Sequence, residues 1–194
     1  NNSNPLISDS EYDDLKKEII SLEKKYSFLN NKNSPSKIVG FKPSKNFKKV
    51  NHKVPMLSLS NAFSEDDLIN FEKKITNYLN EDENFKIEYS AEPKIDGISA
   101  SLIYKNKKLI AGLSRGDGQV GEDITANLRT IEDIPKIISS KDFPDEIDIR
   151  GEVFINNKDF KKLADKFANP RNAASGSLRQ KNPEDTKKIP LRFI

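Results

Sequence analysis

Ile98-Ser99-Ala100-Ser101-Leu102-Ile103-Tyr104 and Leu109-Ile110-Ala111-Gly112-Leu113-Ser114, separated by Lys105-Asn106-Lys107-Lys108, decide the fold class. Two apolar runs of strand length around a short polar break predict an antiparallel hairpin. Downstream, Ile147-Asp148-Ile149-Arg150-Gly151-Glu152-Val153-Phe154 reads as another strand. Upstream, Phe85-Lys86-Ile87-Glu88-Tyr89 alternates in the same way. Before these the period is helical. Ser8-Asp9-Ser10-Glu11 is a capping box opening a helix, with Tyr12, Leu15, Ile19, Leu22 and Tyr26 as an ordinary core-packing stripe. Ser64 caps a second helix bearing Leu68, Phe71, Ile75 and Tyr78, and Asn157 caps a third bearing Phe160, Leu163 and Phe167. Val54 to Ser60 is a short apolar segment. Helices first and antiparallel strands afterwards predict an α+β protein.

Composition adds boundaries. The stretch from Asn30 to Lys49 is rich in Asn, Lys, Pro and Ser, so a small helical piece (1–30) is expected to be tethered by a linker (31–50) to a larger domain (51–194). Zero cysteines remove disulfides, thiol catalysis and Cys-ligated zinc from these 194 residues, and a single histidine removes His-rich metal cages. No apolar run approaches the roughly 18 residues of a membrane span, and the first residues are no signal peptide. A soluble cytoplasmic protein without a membrane partner is the expectation. The net charge of +3 is too small to argue for nucleic acid by itself. The distribution says more: all six arginines (115, 129, 150, 171, 179, 192) lie in the second half, and lysine is the base everywhere else. Arginine in such a chain marks places where a forked donor is wanted.

The chemistry centres on Glu92-Pro93-Lys94-Ile95-Asp96-Gly97, a lysine at a sharp Asp-Gly turn. A lysine nucleophile has to shed its proton. With a reference pKa near 10.4, neutrality near pH 7.5 costs about 4 kcal/mol. Burial, cationic neighbours or a metal can supply that, and attack on a phosphate would leave a reactive phosphoramidate. The bland alternative is a surface turn, which this composition produces by chance often enough that the motif alone is weak.

Gly116-Asp117-Gly118-Gln119-Val120-Gly121 matches the dinucleotide fingerprint G-x-G-x-x-G letter for letter. The mechanism does not fit. Arg115 precedes the first glycine where a buried apolar strand is required, and Glu122 and Asp123 would compete with a phosphate for a helix N-terminus. A flexible glycine loop is the better reading. Glu92, Arg115 and Glu152 each fall at the end of a predicted strand. Such carboxylates can accept from an adenine amino group or a ribose hydroxyl, and an arginine can fork onto phosphate. Asn169 to Arg179 reads as a small polar loop whose Arg171 and Arg179 would suit a nucleic-acid backbone, with a capped loop or helix start as the alternative. Asp9, Tyr12 and Asp13 fall within one helical turn and could present a ring and two acids to a cationic ligand. His52, with no cysteine or second histidine to pair with, is given a packing or loop role.

Taken in order, these blocks resemble the NAD-dependent DNA ligases of bacteria. The resemblance runs through Ile7 to Leu15, His52-Lys53-Val54-Pro55-Met56-Leu57-Ser58-Leu59-Ser60, Glu92 to Gly97, Ser114 to Gly118, Gly121 to Thr125, Arg150 to Phe154 and Phe167 to Gln180. It implies a nucleotidyltransferase (adenylation) fold preceded by a small helical subdomain. It implies Lys94 as the adenylated nucleophile. The segment Asp9, Ser10, Glu11, Tyr12 and Asp13 would hold the nicotinamide mononucleotide half of NAD, and Ser58 and Leu59 would line the adenosine site. Glu92 would read the adenine, Arg115 the nucleotide and Glu152 the ribose, with Arg171 and Arg179 near DNA phosphates. NAD then serves as AMP donor, Mg2+ is the implied metal, and nicked double-stranded DNA is the partner of a monomeric enzyme. Zinc is implied only for downstream modules. The family's later lysines and domains have no counterpart before Ile194, so the chain is expected to be a fragment that does not seal nicks alone. Two other readings stand beside this one. An ATP-using nucleotidyltransferase shares Lys-x-Asp-Gly but has no use for the Asp9–Asp13 helix. A non-catalytic nucleotide- or DNA-binding module would form no covalent adduct.

Overall fold

The computed structural model describes residues 9–29, 31, 34, 36, 47–82 and 85–194, with the backbone alone for 9, 10 and 13. The expected hairpin is present. Strands β2 (Ile98–Lys105) and β3 (Lys108–Ser114) pair antiparallel around Asn106 and Lys107, whose φ values of 48° and 65° make the tight left-handed turn that matches strand twist. Strand β5 (Glu146–Ile155) pairs with the other edge of β2 along its whole length, and β6 (Leu191–Phe193) adds to β5. The sheet order is β3-β2-β5-β6, all antiparallel. A second, two-stranded sheet joins β1 (Lys49–Asn51) to β4 (Val120–Glu122).

Alternation along β2 separates two faces. Ala100, Leu102 and Tyr104 point into the core with Val153 and Ile155 of β5. Helix α5 (Pro170–Leu178) covers this face, burying Ala173, Ala174 and Leu178. Small side chains let the helix approach closely, and each fully buried large apolar side chain contributes roughly 1.5–3 kcal/mol. The loop expected at Asn169–Arg179 is thus a helix. Asn169 accepts from the Asn172 amide at 2.8 Å and Pro170 occupies the first turn, so a polar composition hid a well-capped start. Short helices α3 (Thr125–Leu128) and α6 (Pro183–Lys187) close the same core, with Leu128 and Thr186 buried.

Other expectations are corrected. Helix α1 (Asp9–Lys25) forms, and its capping Ser8 lies outside the described residues. Its stripe is not core: Tyr12 is 53% exposed, and Leu15, Leu22 and Tyr26 are also exposed. Helix α2 (Glu65–Leu79) is capped by Ser64 as read, through the Asp67 amide at 3.2 Å, yet Leu68, Phe71 and Tyr78 face solvent. Phe85 to Tyr89 is not a strand, because no neighbouring strand offers it a ladder among the described residues. The third helix shrinks to one turn, α4 (Asn157–Phe160), whose N-cap is Asn156 rather than Asn157. Of the linker, residues 37–46 lie outside the described residues, and β1 occupies its end.

The β6 edge is held by one carboxylate. Asp133 accepts from Arg192 Nε at 2.6 Å and from the Phe193 amide at 3.0 Å. The guanidinium, then the amide, hold this carboxyl below its ordinary range. A lowered native pKa stabilises above the unfolded value, near 3.9, and is lost as pH falls through the native one. In the full-length protein, amide protection over 189–194, taken relative to the intrinsic exchange rate at each pH, is therefore expected to fall below about pH 4. Asp133→Asn should show fast exchange already at neutral pH; equal protection of wild type and variant would refute the clamp.

Candidate nucleotide site

The core face of the sheet is apolar; the opposite face carries the polar residues. Ser99 and Ser101 on β2 lie beside Glu152 and Arg150 on β5, their register partners. Ser99 Oγ donates to Glu152 Oε2 at 2.8 Å. Ser101 Oγ donates to Asp148, which also sits 3.5 Å from Arg150. Because Ala100 pairs with Ser114, Arg115 falls level with Ser99 on the far side of β2. One row therefore holds Arg115, just past the end of β3, Ser99 of β2 and Glu152 of β5.

Gly97 ends the lysine motif against this row. A Cβ there would stand 2.3 Å from the Val153 carbonyl oxygen and 2.8 Å from Glu152 Cγ, so only glycine lets the chain enter β2 this close to β5. Lys94 precedes Gly97 by three residues, within about 10 Å of chain. Asp96 is paired with Arg171 at 3.2 Å, which brings the first turn of α5 to the same turn. Lys94 and Glu92 are both exposed, in an extended segment outside the ladders. The expectation that Glu92 ends a strand is corrected, and so is burial as the means of stripping the lysine proton: the described residues leave that amine in solvent.

A strap crosses the polar face. Lys53 pairs with Glu146 at one end of β5. Arg150 donates to the Val54 carbonyl and, at 3.0 Å, to that of Pro55. Arg115 donates through Nε to the Met56 carbonyl at 3.2 Å and through Nη2 to Ser58 Oγ at 2.6 Å. These pins present Ser58 and Leu59, both exposed, at the Arg115 end of the row. Reasoning from sequence missed Arg150 and Lys53 as parts of the site. Its own signal, an arginine where lysine is habitual, pointed at Arg150, since a planar fork can take two adjacent carbonyls and an ammonium cannot fit both.

The loop after Arg115 explains the false fingerprint. Gly116 and Gly118 have φ of 58° and 93°, and Asp117 accepts from the Val120 and Gln119 amides at 2.7 and 2.9 Å. Those amides, Val120 first, hold its carboxyl below the ordinary range. The loop turns β3 into β4 and opens no helix, so no helix terminus receives a pyrophosphate. His52 lies beneath this loop, buried, its Nε2 bonded to the carbonyls of Ser114 (3.1 Å) and Arg115 (3.2 Å). Its Nδ1 has no partner among the described residues, a cost of about 1–3 kcal/mol.

The remaining candidates are placed elsewhere. Arg179 turns inward, its Nε 3.2 Å from Glu122, a carboxylate only 1% exposed. Glu11 and Tyr12 are exposed on α1; the side chains of Asp9, Ser10 and Asp13 lie outside the described residues. No group of three or more His, Asp or Glu among the described residues is placed to hold a metal. No described helix is long and apolar enough to cross a membrane.

A family model described as the NAD-dependent DNA ligase adenylation domain matches residues 44–194. The chain belongs to the NAD-dependent DNA ligase family. A second model, the DNA ligase-like N-terminal NAD+-binding domain, matches residues 1–40. Proteins named DNA ligase are similar along 98% of this chain: one from Pelagibacter ubique at 70% identity over 190 residues, one from Rickettsia massiliae at 50% over 199, and one from a Bradyrhizobium species at 47% over 198. The chain spans about 28% of the length of each of these relatives.

Proposed function

We propose that this chain is the nucleotide-charging part of a DNA ligase that uses NAD as AMP donor and seals nicks in duplex DNA, in replication and repair. The observation that carries the reading is the single row formed by Arg115, Ser99 and Glu152, with the Lys94–Gly97 turn entering at one end and Ser58 held at the other. On this reading, that row would be the floor for adenosine monophosphate. Glu152 would take the ribose hydroxyls, Arg115 the nucleotide, Glu92 the adenine amino group, and Ser58 and Leu59 the adenosine edge.

The chemistry follows from the lysine. Its unprotonated Nζ attacks the adenylyl phosphorus of NAD, forming a P–N bond while the P–O bond to nicotinamide mononucleotide breaks. The 5′-phosphate at a nick then displaces the lysine, forming a P–O bond as the P–N bond breaks. The 3′-hydroxyl attacks that activated phosphate and releases AMP. A nucleotide lying over the row would shield an amine that is otherwise solvated. Residues 1–30, with Asp9, Ser10, Glu11, Tyr12 and Asp13, would hold the mononucleotide half, and 31–50 would tether them to 51–194. Arg171, beside the lysine turn, is the better placed of the two arginines to meet DNA. Arg179 is engaged with a buried carboxylate. Mg2+ would arrive on the substrate phosphates, keeping most of its waters, and would neutralise their charge.

Intact mass of the full-length protein after incubation with NAD, and separately with ATP, tests the reading. A gain of one AMP with NAD and none with ATP is expected. Labelling by ATP alone would make it an ATP-using enzyme, and no adduct with either would leave a binding module.

A further inference from the structure

Both ends of Arg115 are held by one segment. The His52 ring reaches its main-chain carbonyl at 3.2 Å, and Met56 and Ser58 take its guanidinium at 3.2 and 2.6 Å. The seven residues His52 to Ser58 thus close a ring of hydrogen bonds around a single arginine. The strap and the loop are also zipped by main chain: the His52 amide donates to Gln119 and the Met56 amide to Gly118, each at 2.9 Å. The Arg115 carbonyl completes the turn by accepting from the Gly118 amide at 3.0 Å.

We propose that His52 is a positioning residue for nucleotide charging, setting the backbone of Arg115 and through it the direction of the guanidinium over the row. Both Nε2 partners are carbonyl oxygens, so Nε2 carries the proton and donates. The ring fits only because β4 leaves room for it: a Cβ on Gly121 would stand 2.8 Å from Nε2 and 2.1 Å from the Ser114 carbonyl. An apolar side chain would fill the same space more cheaply, since Nδ1 is buried with no partner among the described residues. The imidazole is therefore explained by what Nε2 holds, not by packing. His52 meets the row only at the Arg115 main-chain carbonyl, and acts through that residue.

This rests on the nucleotide-site reading, and the test separates the two. In the full-length protein, His52→Gln keeps an N–H donor near the Nε2 position, whereas His52→Asn ends where Nδ1 sits. Steady-state sealing of a nicked duplex with NAD varied, in which lysine-AMP formation is the NAD-dependent step, is measured for each, alone and combined with Arg115→Ala. His52→Asn is expected to raise KM for NAD about 10-fold with kcat little changed, as losing one buried donor predicts. His52→Gln should recover most of it. In the Arg115→Ala background His52→Asn should add nothing, because its effect runs through that side chain. A purely structural role would lower the melting temperature of both variants alike and multiply with Arg115→Ala. Equal KM for wild type and His52→Asn, or multiplying effects, overturns the inference. Wild-type protein that forms no adduct would instead overturn the proposed function.

Discussion

Lys94→Arg in the full-length protein is expected to abolish the AMP adduct, with a loss of at least about 1,000-fold in the rate of its formation. The substitution preserves the positive charge and much of the reach. It removes the one thing the reaction needs, because a guanidinium stays protonated at any accessible pH and offers no free amine. Since Lys94 is exposed and bonded into no ladder, the fold has little to lose from the change. Binding of NAD by calorimetry should therefore survive while covalent mass gain disappears. Adduct persisting in this variant would place the nucleophile elsewhere. Adduct and binding lost together with the melting transition would mean that the lysine is structural, against its position in the fold.

The second large effect falls on Gly97→Ala. Added to the native backbone, one methyl meets the Val153 carbonyl at 2.3 Å and Glu152 Cγ at 2.8 Å. A carbonyl in a paired strand cannot step aside without breaking the β2–β5 ladder at Ile98–Val153. The start of β2 must move instead, carrying the lysine turn away from Glu152. Overpacking of this kind costs roughly 1–3 kcal/mol of stability. A displacement of about 1 Å in a reacting group is expected to lower single-turnover adduct formation by about 100-fold. The two effects are separable: melting should shift by a few degrees while the rate collapses. An unchanged rate would show that the lysine turn reaches its working position independently of β5.

Arg171 and Arg179 show how far sequence reaches and where it stops. Both sit in one block, and residue type alone assigns them the same role. The fold gives them different partners: an exposed aspartate of the lysine motif for Arg171, and a buried glutamate from β4 for Arg179. Likewise Glu122 reads as a charge at a helix start and is almost wholly buried. Partners brought from 57 and 75 positions away leave no local trace in composition or period.

Local signals were legible where local physics rules. The β2–β3 hairpin, β5, the Ser64 cap and the rejection of a Rossmann loop all follow from period, turn chemistry and capping within a few residues of chain. The apolar faces of α1 and α2 were legible as helices but not as exposed ones, because burial depends on what stands opposite. Phe85–Tyr89 alternates like a strand and remains unpaired for the same reason. Lys94 was legible as a candidate in residue order, and so were Arg115 and Glu152. Their assembly into one row, strapped by Arg150 and Arg115 with His52 beneath, was decided by register and by long-range contact, since a strand presents a site only beside the strands it pairs with.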